Sequence, residues 1–447
     1  MRRPFALLFC TLFLLAGCGD RNSHNANLIL ITLDTQRADF LGSAGYPEVV
    51  SPHLDRLAER SLLFEKAYAT APFTGPSHAS ILTGQHTSTH GVIYNGHRAR
   101  SLAIGAKSVT LAEHLVQAGF NTKAVVSGGP LDARFGFGRG FEGYNLVPQM
   151  GYPDSGGDPA QVTRRAGNWL LDWKHTGQQE RFFLWVHYFV PHLPYLNRPA
   201  GRDSLGIAFA QTVDEVNVAT LPVQDVRQAY RAEVFEMDRF IGELLAKLEK
   251  LELADDTIIA VVGDHGEYLQ EHGLTNHHCL YDEVLHVPMF IHWRDLKAVE
   301  RRGAAVSTVD LVPTLLELLG VAEMPTAQGR SLRRASAAEP VFAEWRDFRL
   351  LGDHDPRPGD FLVSVQDGQH KLIRDLLFPT SSLCFDLAVD PNETNNLYGQ
   401  DHPLPAELGA LLDSHLKNGL PHGLAGIDDI QIDEKSLEML RSLGYVR

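Results

Sequence analysis

Continuous apolar segments alternate with predicted helices along much of this chain. Such runs are typical of strands buried on both faces of a parallel sheet. We predict strands of this kind at residues 28–33, 122–127, 182–188, 257–262 and 287–293. Helices are predicted at residues 51–64, 110–119, 224–251 and 307–320. This alternation predicts an α/β fold.

The length of the chain leaves room for more than one unit. With 447 residues, it is expected to form one large domain with a smaller one appended. From about Ala338 the pattern changes to short strands and turns, which predicts a small α+β C-terminal subdomain. Its strands are predicted at residues 340–345, 361–366, 370–374 and 384–387.

The charge balance narrows the possible functions. The formal net charge is −15, so no basic stripe is available to neutralise the phosphates of a nucleic acid. An anionic substrate therefore needs a local positive charge, and a metal ion is the simplest source of one.

The N-terminal segment predicts export and anchoring. Two arginines precede a short apolar run at residues 5–15, as in a signal peptide. The residues around Cys18 read Leu-Ala-Gly-Cys and resemble the bacterial lipobox, in which the cysteine is lipidated. We therefore expect a signal segment at residues 1–18, a polar tether at 19–26 and a lipoprotein of the bacterial cell envelope. A plain signal peptide cut near Gly17 and a membrane anchor are the alternatives, although the apolar run is short for a span.

Two cysteines remain beyond the N-terminal segment, Cys279 and Cys384. Two are too few for a disulfide framework. In an oxidising compartment these two cysteines could form a disulfide, and the sequence alone does not decide whether they do.

A hydroxyl residue stands at a predicted helix N-terminus in residues 72–84, PFTGPSHASILTG. Thr74 precedes a Gly-Pro-Ser-His turn, and a helix follows that Gly84 is expected to end. The free N–H groups and the positive end of the helix dipole favour a bound anion there. Thr74 is therefore placed to act on a sulfate or phosphate ester.

Candidate metal ligands follow two of the predicted strands. Asp34 comes directly after residues 28–33, and Asp264 and His265 follow residues 257–262. Ligands of α/β sheets bind at the carboxyl ends of strands, and carboxylate and imidazole groups flanked by glycines suit metal ligation. His192 and His277 lie in loops further along and are candidate site residues. A surface-loop histidine is the alternative for His192, and His277 has metal binding, oxyanion binding or a solvated side chain as its alternatives.

These motifs, taken in order, resemble the sulfatase family within the alkaline phosphatase superfamily. The resemblance implies a central mixed, mostly parallel sheet flanked by helices, with a catalytic domain at residues 27–335 and a C-terminal subdomain and tail at 336–447. It implies that the metal is bound by the side chains of Asp34, Asp264, His265 and Thr74. It also implies that His192 and His277 contact the ester as catalytic groups beside Thr74. We predict His78 as a further contact to the substrate.

The departures from the family pattern concern the reaction itself. The family carries Cys or Ser in a C/S-x-P-x-R motif that becomes formylglycine, whereas here Thr74 and His78 hold the first and fifth positions. Threonine cannot become formylglycine, because the aldehyde carbon would have to bear a methyl group. The family's Lys-x-His pair is replaced by the sequence at residues 127–130, and the second acid of its strand-end pair by Thr35. A threonine nucleophile instead resembles the phosphoryl-transferring members of the superfamily.

The ligand types predict one metal ion. Members with two ions carry an Asp-x-x-x-His pair upstream, but the residues at that spacing before His175, His187 and His192 are leucine, phenylalanine and tyrosine. A set of two carboxylates, an imidazole and an alkoxide favours zinc or manganese, with calcium also possible.

These expectations lead to three functional hypotheses. The first is a metal-dependent hydrolase or transferase of phosphodiesters or phosphomonoesters that uses Thr74 as nucleophile. The second is a sulfuric ester hydrolase of the arylsulfatase kind. The third is an inactive surface lipoprotein that binds an anionic glycan or lipid headgroup.

Overall fold

The computed structural model describes residues 25–92, 103–148, 157–177, 180–296, 298–334, 338–346 and 357–419. The predicted signal segment, Cys18 and most of the tether lie outside these residues. The strands are β1 (Asn27–Leu33), β2 (Leu62–Tyr68), β3 (Phe120–Ser127), β4 (Gly143–Val147), β5 (Arg181–Tyr188), β6 (Thr257–Gly263), β7 (Tyr268–Leu269), β8 (Thr275–Asn276), β9 (His286–His292), β10 (Glu300–Ser307), β11 (Val341–Arg346), β12 (Phe361–Gln366), β13 (His370–Asp375) and β14 (Leu383–Asp386). The helices are α1 (Pro52–Ala58), α2 (Thr74–Thr83), α3 (Thr87–His90), α4 (Leu111–Gln117), α5 (Pro159–His175), α6 (Pro199–Leu205), α7 (Val223–Lys250), α8 (Asp282–Leu285), α9 (Leu311–Leu319) and α10 (Leu404–Gly419).

A mixed sheet of eight strands forms the centre of the large domain, in the order β10-β2-β9-β6-β1-β5-β3-β4. β9 pairs antiparallel with both of its neighbours, and the other five pairings are parallel. The predicted α/β architecture is therefore confirmed. β1 lies between β5 and β6, so the ends of these three strands meet in the middle of the sheet.

Helices cover both faces of this sheet because the central strands are apolar on both sides. Leu28 and Leu30 of β1 point to one face, where they join the core beneath α2, α4 and α9. Ile29 and Ile31 point to the other, where they pack with α1, α5 and α7. The strict alternation of side chains along a strand produces this two-sided core.

The C-terminal subdomain is an antiparallel sheet, β11-β12-β13-β14, covered on one side by α10. Two contacts join it to the large domain, the first of them beside the predicted nucleophile. The ring of Trp345 stacks on that of Phe73, the residue before Thr74, with centroids 4.4 Å apart. The buried ammonium group of Lys371 lies 2.7 Å from Asp282 Oδ1 and 3.0 Å from Glu393 Oε1.

One predicted element was wrong, and several elements, β10 among them, were not predicted. The helix predicted at residues 51–64 ends at Ala58, and the residues from Leu62 onward form β2, since pairing with β9 and β10 buries them inside the sheet. β10 was not predicted as a strand, because its first three residues are the charged Glu-Arg-Arg of a sheet edge rather than an apolar run. Neither difference changes the positions of the candidate site residues.

None of the helices among the described residues is both long and apolar enough to cross a bilayer.

A buried carboxylate on α7 gives the folded chain a predictable pH dependence. Asp238 accepts hydrogen bonds from the backbone N–H groups of His53 (3.0 Å) and Leu54 (2.7 Å) at the start of α1. Burial outweighs these two bonds and raises the pKa of Asp238 to about 7. The folded chain therefore binds this proton more tightly than the unfolded chain, whose aspartate pKa is about 4. The resulting stabilisation is complete below about pH 4 and is lost as the pH rises towards 7.

We expect Asp238→Asn to remove that pH dependence. Asparagine keeps one hydrogen bond at every pH but carries no charge, so the wild type should lose stability relative to the variant between pH 5 and pH 8. Urea unfolding of both proteins at the two pH values measures this difference. An equal difference in unfolding free energy at pH 5 and pH 8 would contradict the assignment.

Candidate active site

The two predicted metal-binding carboxylates lie side by side at the carboxyl ends of adjacent strands. Leu33 of β1 pairs with Gly263 of β6, so the following residues, Asp34 and Asp264, occupy equivalent positions. The backbone N–H of Asp264 donates to Leu33 O, and that of Asp34 donates to Tyr188 O at the end of β5. The sheet register alone therefore brings the two side chains together.

Backbone groups fix the orientation of Asp264. Its Oδ1 accepts hydrogen bonds from the N–H groups of Thr35 (3.1 Å) and His265 (2.7 Å). Thr35 has a φ of 47°, an uncommon value for a residue branched at Cβ. The hydroxyl of Tyr230 donates to Thr35 O at 2.8 Å and helps to hold this backbone. Oδ1 is thus occupied, and Oδ2 of Asp264 is left to bind something else.

The donor atoms of these residues fit a divalent metal ion. His265 Nδ1 lies 2.9 Å from Gly266 O, and since a carbonyl only accepts, Nδ1 carries the proton and the Nε2 lone pair stays available. Asp34 Oδ1, Asp264 Oδ2 and His265 Nε2 are buried, and none has a hydrogen-bond partner. Asp34, Asp264 and His265 each offer a ligand atom, and these atoms all lie within 4.8 Å of one another. Buried polar atoms without partners are costly, and a cation satisfies all three together.

The electrostatics lead to the same conclusion. Burial raises the pKa of Asp34 well above the ordinary value, and burial together with the nearby Asp34 does the same for Asp264. Burial lowers the pKa of His265 to about 3, so its imidazole is neutral at pH 7. Two buried carboxylates and one neutral imidazole form a set that only a cation makes favourable in the ionised state.

Thr74 is the first residue of α2, where the sequence predicted it. Its Oγ1 lies 3.4 Å from Asp34 Oδ2, and its side chain is fully buried. The hydroxyl of Ser77, one turn further along α2, donates to Asp264 O at 2.6 Å. Gly84 follows the last residue of α2, as predicted, in a left-handed conformation with φ of 65°. The helix is therefore held against the carboxylate pair with its N-terminus facing them.

His78 belongs to α2, and its side chain lies against Asp264. Its Nδ1 lies 2.8 Å from Thr74 O and 3.4 Å from Asp264 Oδ2. Since both neighbours are acceptors, Nδ1 carries the proton of the neutral ring. Burial lowers the pKa of His78 well below its usual value. The structure thus places His78 next to a predicted metal ligand, and substrate contact by this residue stays a prediction.

His192 and His277 lie beside His265. The ring centroids of His265 and His277 are 4.6 Å apart, and those of His192 and His277 are 5.8 Å apart. Phe73 packs edge-on against His277, which connects this histidine to the start of α2. Burial lowers the pKa of His192 to about 4, and burial followed by the imidazole of His265 lowers that of His277. The structure brings all seven predicted site residues into one region, while their roles stay predictions.

His187 also belongs to this cluster, although the sequence did not predict it as a site residue. Its Nε2 lies 3.3 Å from Asp34 Oδ2, and its ring meets that of His78 edge-on at 4.6 Å. Burial lowers its pKa to about 3. The available signal was a histidine one residue before the end of an otherwise apolar strand, at the edge of the sheet where ligands bind. His272 and His278 of the same loop as His277 do not belong to the carboxylate cluster: His272 stacks on Tyr281 instead.

Gly266 allows the segment after β6 to pass close to α8. A Cβ atom added there would lie 2.0 Å from the backbone oxygen of Glu283. We expect Gly266→Ala to lower the free energy of unfolding by about 1–3 kcal/mol or more, because the clash is with backbone and cannot relax by a rotamer change. Chemical denaturation measures this loss.

Gly167→Ala is the matched control for that prediction. A Cβ at Gly167, within α5, would meet only the side chain of Lys247 at 3.5 Å, an ordinary contact. Alanine is favoured over glycine inside a helix, so this variant should be as stable as the wild type or more so. Equal effects of the two substitutions would contradict the close approach inferred at Gly266.

Cys279 and Cys384 are both free thiols in this structure. Burial raises the pKa of each to about 11, which keeps them protonated at neutral pH. The structure therefore gives no disulfide between the large domain and the C-terminal subdomain.

Comparison with known proteins identifies the family. A family model described as Sulfatase matches residues 26–321, which is more than half of the chain. The chain belongs to the sulfatase family. A second model, described as N-sulphoglucosamine sulphohydrolase, C-terminal, matches residues 270–418. The chain is thus an ester hydrolase of the alkaline phosphatase superfamily, whose sulfatase members use a divalent metal ion.

Individual relatives cover nearly the whole chain at low identity. An ulvan-active sulfatase of Formosa agariphila is 26% identical over 460 residues, which span 93% of this chain and 86% of that protein. A solved structure in complex with its substrate D-glucosamine-2-N,6-O-disulfate has a TM-score of 0.74 at 20% identity, covering 91% of this chain and 99% of the other. The phosphonate monoester hydrolase of Agrobacterium radiobacter has a TM-score of 0.68 at 20% identity, with 92% and 98% covered. At these identities the two structures establish the fold alone.

Proposed function

We propose that this sulfatase-family chain is a metal-dependent hydrolase or transferase of phosphodiesters or phosphomonoesters, with Thr74 as its nucleophile. The observation that carries the proposal is a threonine hydroxyl at the N-terminus of α2, buried and 3.4 Å from Asp34 Oδ2. A threonine cannot supply the aldehyde hydrate that expels sulfate. A phosphorylated threonine, in contrast, can be cleaved at phosphorus by water or an alcohol.

Asp34, Asp264, His265 and Thr74 are the residues that would hold the divalent cation. When bound, the cation lowers the pKa of the Thr74 hydroxyl and neutralises charge on the ester. Zinc or manganese suits the imidazole in this set better than calcium does.

The residues of the chain account for the remaining steps. The alkoxide of Thr74 attacks phosphorus, and the bond to the leaving alcohol breaks as a phosphothreonine forms. The N–H groups at the start of α2 stabilise the equatorial oxygens, together with His192 and His277. Both imidazoles are neutral without substrate, and an anionic ester beside them favours their protonated form. One of them can then protonate the leaving oxygen, after which water or an acceptor alcohol attacks the phosphothreonine.

The cellular location is also part of the proposal. The lipobox-like residues around Cys18 favour a lipid anchor in the bacterial cell envelope. Radiolabelled palmitate incorporation in a bacterial host, compared between the wild type and Cys18→Ala, tests this directly. Label in both proteins, or in neither, counts against the lipobox.

A substrate panel tests the reaction class. The purified full-length chain is loaded with zinc, manganese or calcium and assayed with aryl sulfate, phosphate monoester, phosphodiester and phosphonate monoester substrates, beside Thr74→Ala. We expect phosphate esters to be the best substrates and the variant to lose their turnover. Sulfate as the best substrate would contradict the proposal and favour a sulfuric ester hydrolase. Silence with every substrate and metal would favour a binding protein.

A further inference from the structure

A line of buried polar side chains leads to Asp34 through the sheet face that packs against α2. The indole N–H of Trp185 donates to Thr32 Oγ1 at 3.0 Å. Thr32 Oγ1 lies 2.9 Å from His187 Nδ1, and His187 Nε2 lies 3.3 Å from Asp34 Oδ2. All four side chains are fully buried. None of the first three was selected as a site residue from the sequence.

The strand register explains why these side chains meet. Thr32 of β1 pairs with His187 of β5. Because alternate residues of a strand share a face, Thr32 and Asp34 point to the same side as Trp185 and His187. The register would make the side chains at these four positions neighbours whatever their type. Here all four side chains can form hydrogen bonds.

One assignment of protons gives each polar atom in the line a neighbour of complementary type. The indole N–H can only donate, and an ionised carboxylate that binds a cation can only accept. A neutral imidazole has one N–H, and the hydroxyl of Thr32 has one proton. If Thr32 donates to Nδ1, then Nε2 carries the ring proton and faces Asp34 Oδ2. The other tautomer directs the Nε2 lone pair at a carboxylate oxygen, which is repulsive.

We propose that His187 is a positioning residue that directs Oδ1 of Asp34 to the metal ion by holding Oδ2 through Nε2–H. Thr32 and Trp185 fix the tautomer and the ring orientation that this requires. In the structure the Nε2–Oδ2 contact is longer and less well aligned than a hydrogen bond, and His187 Nε2 and Asp34 Oδ1 both lack hydrogen-bond partners. A small rotation of the Asp34 carboxylate on binding the ion would satisfy both atoms. The inference rests on the metal site of the proposed function but not on the choice between phosphate and sulfate.

The test measures metal affinity rather than turnover. Full-length wild type and variants are stripped with a chelator, and binding of Mn²⁺ and Zn²⁺ is measured by calorimetry. We expect His187→Leu to weaken binding by roughly 10- to 100-fold, the usual effect of removing a group that orients a metal ligand. His187→Gln, which keeps an N–H donor near the Nε2 position, should recover most of the affinity. Thr32→Val, of nearly the same shape, should weaken binding in the same direction.

Thr257→Val is the matched control for the loss of a buried hydroxyl. Thr257 lies at the end of β6 opposite Asp264, where its hydroxyl donates to Leu253 O at 2.7 Å. The Thr257→Val substitution should therefore leave metal affinity unchanged. Circular dichroism and thermal melting of the stripped proteins establish that each variant is folded. If His187→Leu does not fold, Thr32→Val carries the test.

The outcomes separate the inference from the function it rests on. Wild-type protein that binds neither ion would overturn the metal site, and the inference with it. Wild-type binding with unchanged affinity in Thr32→Val and in folded His187→Leu would overturn only the positioning role. Equal loss in His187→Gln and His187→Leu would also overturn it, because a hydrogen-bond donor would then not be what His187 supplies.

Discussion

Replacing Thr74 by alanine is expected to lower kcat/KM for the best phosphate ester by about 10³-fold or more, because the variant has no group to accept the phosphoryl group. Replacing it by serine should keep activity within about tenfold of the wild type, since a primary hydroxyl supplies the same oxygen. Serine here should not become formylglycine, because His78 stands where the family's motif has arginine. Steady-state kinetics with matched metal loading measure both effects.

Thr83→Ala is the matched control for the nucleophile variants. Thr83 is buried at the other end of α2, where its hydroxyl donates to Ala79 O at 2.6 Å. The Thr83→Ala substitution removes a hydroxyl from the same helix without changing the surroundings of Asp34 and Asp264, so kcat/KM should be unchanged. Full activity in Thr74→Ala, or equal losses in the two variants, would contradict a nucleophilic role.

Asp264→Asn is expected to abolish metal-dependent stabilisation and activity while leaving the metal-free protein as stable as the wild type or more so. Asparagine can keep both backbone hydrogen bonds to Oδ1, and it removes one charge from a buried pair whose pKa values are raised. For the wild type, metal at 100 times its dissociation constant should add about 2.7 kcal/mol to the free energy of unfolding. Thermal and chemical unfolding with chelator and with added Mn²⁺ or Zn²⁺ measure both effects.

Asp310→Asn provides the control for Asp264→Asn. Asp310 is also buried and accepts hydrogen bonds from Ser307 N and Arg330 N, but it lies at the start of α9 rather than among the site carboxylates. This variant should lose some stability and keep the full response to metal. A metal response that survives in Asp264→Asn would contradict the ligand assignment. Because protons compete for the same carboxylates, the metal response of the wild type should also weaken as the pH falls.

The sequence predicted the elements whose residue pattern fits only one type of secondary structure. β1, β5 and β6 are apolar on both faces, so their burial was evident. The ends of these strands placed Asp34 and Asp264 together. β2 was mistaken for the end of a helix, because a mixture of apolar and charged residues in a short segment fits both periodicities and pairing decides between them.

The candidate site residues that belong to a local sequence motif were predictable. Those that a neighbouring strand brings into the site were not. Asp264 and His265 stand side by side in the chain, and Thr74 begins a recognisable helix. His187, in contrast, is close to Asp34 only through the pairing of β1 with β5, which depends on a crossover that no local pattern reports. The inward turn of His78 towards Asp264 likewise follows from the packing of α2 and not from its position in the motif.

Mass spectrometry of peptides from the metal-loaded enzyme, quenched in acid during turnover of a phosphodiester or aryl phosphate, shows whether Thr74 is the nucleophile. We expect a phosphoryl adduct on Thr74 that forms with substrate and is absent from Thr74→Ala. Turnover without any adduct at Thr74 under single-turnover conditions, or with the adduct on another residue, would contradict it.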